Sequence, residues 1–172
     1  PAGDPVDSSR RNAVKLPGVR ALSLMACLAW AGRASAMTVP SHFVVENAVP
    51  NAGFNNPTSL AFMPDGRILV GEKRGVVRIV RNGVKLSNHF WDGELEVLNN
   101  GDRGLLSVAV DPKYTVNHFV YLLYTADPNA DGVDDDDDAF ARIVRYRTSA
   151  ADSNVVDYST RTVLIGSTWR PG

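Results

Sequence analysis

Asp127-Pro-Asn-Ala-Asp-Gly-Val-Asp-Asp-Asp-Asp-Asp138 is the stretch whose residue types and spacing point most directly to chemistry. Asp127, Asn129, Asp131 and Gly132 stand at positions 1, 3, 5 and 6 of a twelve-residue calcium loop, with Asp135 at 9 and Asp138 at 12. Carboxylates at alternate positions of a turning loop can point inward together, and the glycine permits the sharp turn. Against this, position 12 is Asp rather than the longer bidentate Glu, and no helical pattern flanks the loop. The competing reading is a solvated acidic hairpin tip held open by its own repulsion.

The three histidines supply no catalytic constellation. His42 precedes the first strand, His89 lies beside Phe90 and Trp91, and His118 falls in the turn Asn117-His-Phe. None has a nucleophile or carboxylate neighbour that would make a triad. Basic residues are scattered rather than clustered, which argues against nucleic acid as a partner. No Gly-rich phosphate cradle opens a helix, so a nucleotide cofactor is not expected.

The elements that must position these residues read as short antiparallel strands. Ser59–Phe62, Arg67–Val70 and Val76–Val80 are β-rich runs separated by Pro64-Asp65-Gly66 and Arg74-Gly75, and Asn82-Gly83 opens a fourth. Four short strands in a meander are the unit of a β-propeller blade. A second unit follows, with Ser59-Leu-Ala-Phe62 matching Ser107-Val-Ala-Val110 at an offset of 48 residues. Leu105–Val110, Phe119–Thr125, Ala141–Arg147 and Arg161–Ile165 complete it. The predicted fold is therefore all-β, a propeller represented by two four-stranded antiparallel blades, at about 57–98 and about 104–167. An ordinary antiparallel sandwich is the alternative. Phe62, Phe119, Tyr121, Tyr124 and Tyr146 are expected to fill the space between sheets, and Trp91 and Trp169 to sit in connections. Ala61 and Ala109 suit the narrow inner edge where blades converge.

Asn56-Pro57-Thr-Ser-Leu-Ala-Phe-Met-Pro-Asp-Gly-Arg-Ile-Leu-Val-Gly-Glu72, Gly101-Asp-Arg-Gly-Leu-Leu-Ser-Val-Ala-Val-Asp-Pro112, Asn117-His-Phe-Val-Tyr121 and Arg142-Ile-Val-Arg-Tyr146 resemble the opening blades of the glucose/sorbosone dehydrogenase family. The resemblance runs from about Asn56 to Trp169. It implies a six-bladed propeller that oxidises a sugar C1 hydroxyl by hydride transfer to pyrroloquinoline quinone (PQQ), with Ca²⁺ as a further cofactor and an electron acceptor as partner. In that family a Gln or Glu just before Gly-Leu-Leu contacts the sugar; here the position is Asp102, one methylene shorter, or else part of a polar inter-blade loop with Arg103. The family's catalytic histidine follows the second blade, so it is expected beyond Gly172. A six-bladed propeller needs roughly 300 residues or more, so the chain reads as the N-terminal part of a longer protein, itself inactive. Two blades alone leave long sheet faces and edges uncovered, which favours aggregation over a stable monomer. The alternative is a non-catalytic secreted propeller that binds carbohydrate or protein.

Residues 1–36 read as an export signal rather than as part of the fold. Arg10, Arg11, Lys15 and Arg20 form a basic start, Ala21–Gly32 is an apolar run too short to span a bilayer, and Ala34-Ser-Ala36 is a cleavage site. Ser9-Arg-Arg-Asn-Ala-Val-Lys15 also resembles a twin-arginine signal, leaving that route and the general secretory one both open. The mature chain, 37–172, is expected in the periplasm or outside the cell, without a transmembrane anchor. Cleavage after Ala36 removes Cys27, the only cysteine, so no disulfide is expected. Residues 1–36 hold five of the 18 basic and two of the 19 acidic side chains, which leaves the rest near −4.

Overall fold

The computed structural model describes residues 39–130, 133 and 139–166. The export-signal reading at 1–36 and Trp169 lie outside the described residues. The chain forms two units, 1–45 and 46–172. Of the first, the described part is a short turn closed by Phe43 N–H donating to Pro40 O at 3.1 Å. The second carries the sheets.

Sheet 1 contains β1 (Pro57–Phe62), β2 (Ile68–Glu72), β3 (Val76–Arg81) and β4 (Val84–Asp92) in that spatial order. Sheet 2 contains β5 (Leu105–Val110), β6 (Phe119–Ala126), β7 (Phe140–Thr148) and β8 (Val156–Ile165), again in chain order. Every neighbouring pair is antiparallel, as the close spacing of turn residues requires. Asn82 and Gly83, with φ of +52° and +74°, make the two-residue turn whose twist suits a hairpin. A one-turn helix, α1 (Tyr114–Asn117), links β5 to β6.

The 48-residue offset extends to the irregularities. The β1–β2 register shifts between Pro57 and Ser59, and the β5–β6 register shifts between Leu105 and Ser107, at equivalent positions. Repeated four-stranded units stacked through their first strands are propeller blades rather than the two layers of a sandwich.

The core lies between the sheets. Leu69, Val77, Ile79 and Trp91 of sheet 1 meet Leu105, Val108, Leu122, Tyr124, Val144 and Tyr146 of sheet 2, all buried. Gly71 is glycine for a steric reason: a Cβ there would lie 2.7 Å from Ser59 Oγ and 3.2 Å from Leu105 and Val108. Polar pins join the inner strands as well. Thr58 Oγ1 donates to Leu105 O at 2.6 Å, and Leu105 N–H donates to Lys73 O at 2.8 Å.

Two expectations are corrected. Trp91 sits in β4 and is fully buried, because a nine-residue strand carries it back over Val77. Phe62 is 71% exposed rather than filling. It shares a face with Leu60, and no sheet among the described residues covers the inner strand on that side. Tyr124 and Tyr146 do fill the core; β8 starts at Val156, five residues before the expected run.

Candidate functional site

Antiparallel order sends alternate connections to opposite ends of the sheets. The β2–β3 turn, the β4–β5 connection and the β6–β7 loop gather at one end, so Lys73, Asp102 and Asp127 lie on that side. His118 belongs to the other end, with α1.

Asp102 stands exposed in a turn closed by Arg103 N–H donating to Asn100 O at 3.0 Å and Gly101 N–H to Asn100 Oδ1 at 2.9 Å. Two hydrogen bonds hold that turn, one to each blade, and a third anchors Lys73 itself. Lys73 Nζ donates to Gly101 O at 2.6 Å, Lys73 N–H to Asn56 O at 3.0 Å, and Thr125 N–H to Gly104 O at 3.0 Å. Gly104 fits under this arrangement only without a side chain, since a Cβ would lie 2.6 Å from Lys73 O. The result is a carboxylate presented to solvent at the start of the inner strand of sheet 2. It can accept a hydrogen bond from a hydroxyl.

Asp127 is not the outer part of an acidic tip. It is buried, its N–H donates to Glu96 O at 3.1 Å, and its Oδ1 accepts the Asn129 N–H at 3.1 Å in a local turn. Asp131, Asp135 and Asp138, with Gly132, lie outside the described residues. Among the described residues no three acidic, His or Cys side chains converge as a metal would require.

The histidines are distributed away from Asp102. His89 lies on the outermost strand of sheet 1, its Nδ1 2.9 Å from Asp92 Oδ2. His118 caps α1 with φ +57°, exposed and edge-on to the Tyr114 ring at 5.6 Å. At that opposite end a cavity of about 600 Å³ is lined by Arg67, Tyr114, His118, Arg147 and Asp157 among others. Arg67 there is buried, donates to Ser153 O and Asn154 Oδ1 of the β7–β8 hairpin, and pairs with Asp65 at 2.6 Å. Its side-chain hydrogen bond holds the Asp65 carboxyl below the usual carboxylate value.

Two charge groups, one fully buried and one partly buried, were missed by sequence reasoning. Glu72 is fully buried, accepts Asn55 N–H at 3.0 Å and Arg78 Nε–H at 3.2 Å, and lies 3.8 Å from Arg74 Nε. The available signal was Glu72 ending an apolar strand while Arg78 follows in the next one. Glu96 accepts Arg161 Nη2–H at 2.8 Å, with Arg142 Nη1 3.7 Å away. Burial, and the nearby Glu96 charge, push the Tyr124 hydroxyl up to about 12.

A test of stability against pH follows. Above the ordinary tyrosine value of 10.0 the unfolded chain releases a proton that folded Tyr124 keeps until about 12. This contribution is complete below pH 10, falls as the pH rises, and is gone above the folded value. The two steps amount to roughly 2–3 kcal/mol. Tyr124→Phe is expected to flatten the decline seen by chemical denaturation between pH 10 and 12. Tyr146 and Tyr158, also raised by burial, leave a residual slope. An unchanged slope in Tyr124→Phe would place the titrating group elsewhere.

Residues 54–163 match a family model described as Glucose / Sorbosone dehydrogenase. The chain is 35% identical over 81 residues to an uncharacterized protein of Synechocystis sp., covering 42% of this chain and 19% of that one. It is 28% identical over 121 residues to the hedgehog-interacting protein of Mus musculus, covering 66% and 17%. Among solved structures, the PQQ-bound aldose sugar dehydrogenase of Streptomyces coelicolor superposes with a TM-score of 0.55 at 22% identity, over 71% of this chain and 33% of that one. A putative oxidoreductase (glucose dehydrogenase) of Thermus thermophilus gives 0.50 at 28%, over 65% and 30%. The chain thus spans under a fifth of these curated relatives and about a third of these solved propellers. Among the described residues no helix is long and apolar enough to cross a membrane.

Proposed function

Because this chain belongs to the glucose/sorbosone dehydrogenase family, we propose that it is the opening part of an exported, PQQ-dependent sugar dehydrogenase, and that its own share of that work is substrate recognition through Asp102. The supporting observation is the turn at 100–104, held by Lys73 Nζ donating to Gly101 O, which presents the exposed Asp102 carboxylate near the start of an inner strand. A carboxyl acceptor on a braced turn suits a sugar hydroxyl, and hydrogen bonds to charged groups contribute about 1.5–3 kcal/mol.

The described residues do not by themselves make a quinone site. PQQ is a polycarboxylate and calls for cations left free to meet it. Near Asp102 the Lys73 ammonium is already given to Gly101 O, and Arg103 has interactions of its own. Of the histidines in the second unit, His118 lies at the other end of the sheets beside α1, and His89 is paired with Asp92 on the outermost strand of sheet 1, so neither is placed here as the base for the C1 hydroxyl. We therefore derive no proton or hydride step within this chain. The calcium loop begun by Asp127 and Asn129 belongs to the same proposal, its remaining ligands being assigned from sequence spacing alone.

A second reading is supported by the likeness to the hedgehog-interacting protein: a non-catalytic propeller that binds protein or carbohydrate. The two separate in one experiment. The 172-residue chain and a version extended beyond Gly172 are given PQQ, a panel of aldoses and an artificial electron acceptor, with and without Ca²⁺. The chain alone is expected to stay silent, because a reaction that needs positioning and water exclusion has no enclosed channel here. The extended protein is expected to turn over, and Asp102→Ala to raise its KM on the order of tenfold with a smaller change in kcat. Turnover by the chain alone would refute the placement of the site. A folded extended protein that binds carbohydrate yet oxidises no sugar would favour the second reading.

A further inference from the structure

The turn that carries Asp102 also contains Asn100-Gly101, two residues able to react with each other. An asparagine side chain followed by glycine can close on the next backbone nitrogen, because glycine puts no Cβ in the way. Asn82-Gly83 is the other such pair in the sequence. Both pairs are exposed, so neither residue type nor solvent access separates them. Their backbones do.

At Asn100 the reacting groups already face each other. Gly101 N–H donates to Asn100 Oδ1 at 2.9 Å, so the side-chain carbonyl is folded back over the nitrogen that must attack it. Arg103 N–H donates to Asn100 O at 3.0 Å. That bond draws electron density from the peptide group to which the Gly101 nitrogen belongs, and so eases loss of its proton. Lys73 Nζ donates to Gly101 O at 2.6 Å, and a cation close by favours the deprotonated nitrogen. A Cβ at Gly101 would meet nothing within 4 Å, which leaves room for a ring to close. Asn82-Gly83 is the opposite case. It forms the two-residue turn of the β3–β4 hairpin, closed where Arg81 pairs with Val84. Gly83 lies under Ala48 O, which would be 3.2 Å from a Cβ there. Closing a ring at Asn82 means rotating a peptide that the ladder fixes on both sides.

We propose that Asn100 is a site of spontaneous self-modification, deamidation through a cyclic imide, and that the fold directs the reaction to Asn100 and away from Asn82. The Gly101 nitrogen loses its proton and bonds to Asn100 Cγ. The Cγ–Nδ2 bond breaks, and the side-chain nitrogen leaves as ammonia. Water then opens the imide at either carbonyl. Opening at Cγ gives aspartate, whereas opening at the Asn100 backbone carbonyl gives isoaspartate, with the chain running through the former side chain. Water is the one co-reactant, and nothing is oxidised or reduced. Both products place a second carboxylate two residues from Asp102, and isoaspartate adds a methylene to the backbone of the turn that presents it. The chemistry is independent of what Asp102 binds.

The test incubates the protein extended beyond Gly172, folded and in parallel unfolded in guanidinium chloride. Trypsin then cuts after Arg81, Lys85 and Arg103, which puts the two pairs in separate peptides, 82–85 and 86–103. In the folded protein, mass spectrometry is expected to find NH₂ replaced by OH in 86–103 well before 82–85, with fragmentation placing the change at Asn100. Unfolded, the two pairs should react alike. The rate at Asn100 should rise about tenfold per pH unit near neutrality, as does the deprotonated share of a very weak acid. Lys73→Gln should slow it about fivefold, the effect of one ammonium close by in water, and Lys73→Arg should restore it. Circular dichroism checks that both variants fold. Equal reaction of the two pairs in the folded protein, no change at Asn100, or a preference that survives unfolding would overturn the proposal. So would a rate that ignores pH, or a Lys73→Gln protein that reacts as fast as the wild type.

Discussion

Trp91→Ala is expected to cost about 3–5 kcal/mol, the range for truncating a large buried aromatic. Trp91 is fully buried where the two sheets meet, with its ring centroid 5.6 Å from that of Tyr124 and 6.4 Å from that of Tyr146. It belongs to β4 of one sheet while its aromatic partners belong to β6 and β7 of the other. Removing it therefore loosens the contact between blades as well as leaving a cavity. Against a total stability of about 5–15 kcal/mol for a typical domain, that loss is enough to unfold a marginal chain. Trp91→Phe keeps part of the ring contact and should cost clearly less. Urea denaturation followed by circular dichroism measures both, and a loss under about 1 kcal/mol for the alanine variant would show that Trp91 is not the joint between the sheets.

The second large effect is expected at Glu72. Its carboxylate accepts from Asn55 N–H and Arg78 Nε–H with no exposure to solvent. Glu72→Ala leaves both donors without their acceptor, and breaking a buried pair from one side costs about 3–5 kcal/mol. The Arg78 side chain is 15% exposed and Arg74 has a second partner in Glu94 at 2.6 Å, so the lower part of that range is expected. Glu72→Gln preserves an acceptor oxygen for either donor and should lose roughly half as much or less. Hydrogen exchange should also report faster opening at Asn55, because that amide is tied down by this carboxylate. Equal losses in the two variants would mean that the volume of Glu72 matters and its hydrogen bonds do not.

Both residues show where reading the sequence stopped. Glu72 drew no reading of its own, since strand periodicity says which face a side chain takes but not what covers that face. Its cover is the segment around Asn55, an irregular stretch with no periodic signal. Trp91 lies just before Gly93, where turn residues suggested a connection, yet its register opposite Val77 keeps it in the ladder. Phe62 reads as core because an aromatic on an alternating strand usually is; on the inner strand of sheet 1 it instead faces the side without a sheet. Asp102 was located by resemblance alone, and its exposure and the Lys73 clamp became visible only with the two blades in place.

By itself the sequence determined the elements: tight turns at Asp65-Gly66 and Asn82-Gly83, β-rich runs between them, and a 48-residue repeat that holds down to the position of a bulge. These are local matters, decided by φ preferences and side-chain alternation within a few residues. Tertiary structure alone decided which charges are buried, which end of the sheets Asp102 and His118 occupy, and which of two similar faces is filled. Those depend on residues far apart in the chain meeting across a sheet or between sheets. Burial and pairing belong to both partners at once, and no single stretch of sequence records them.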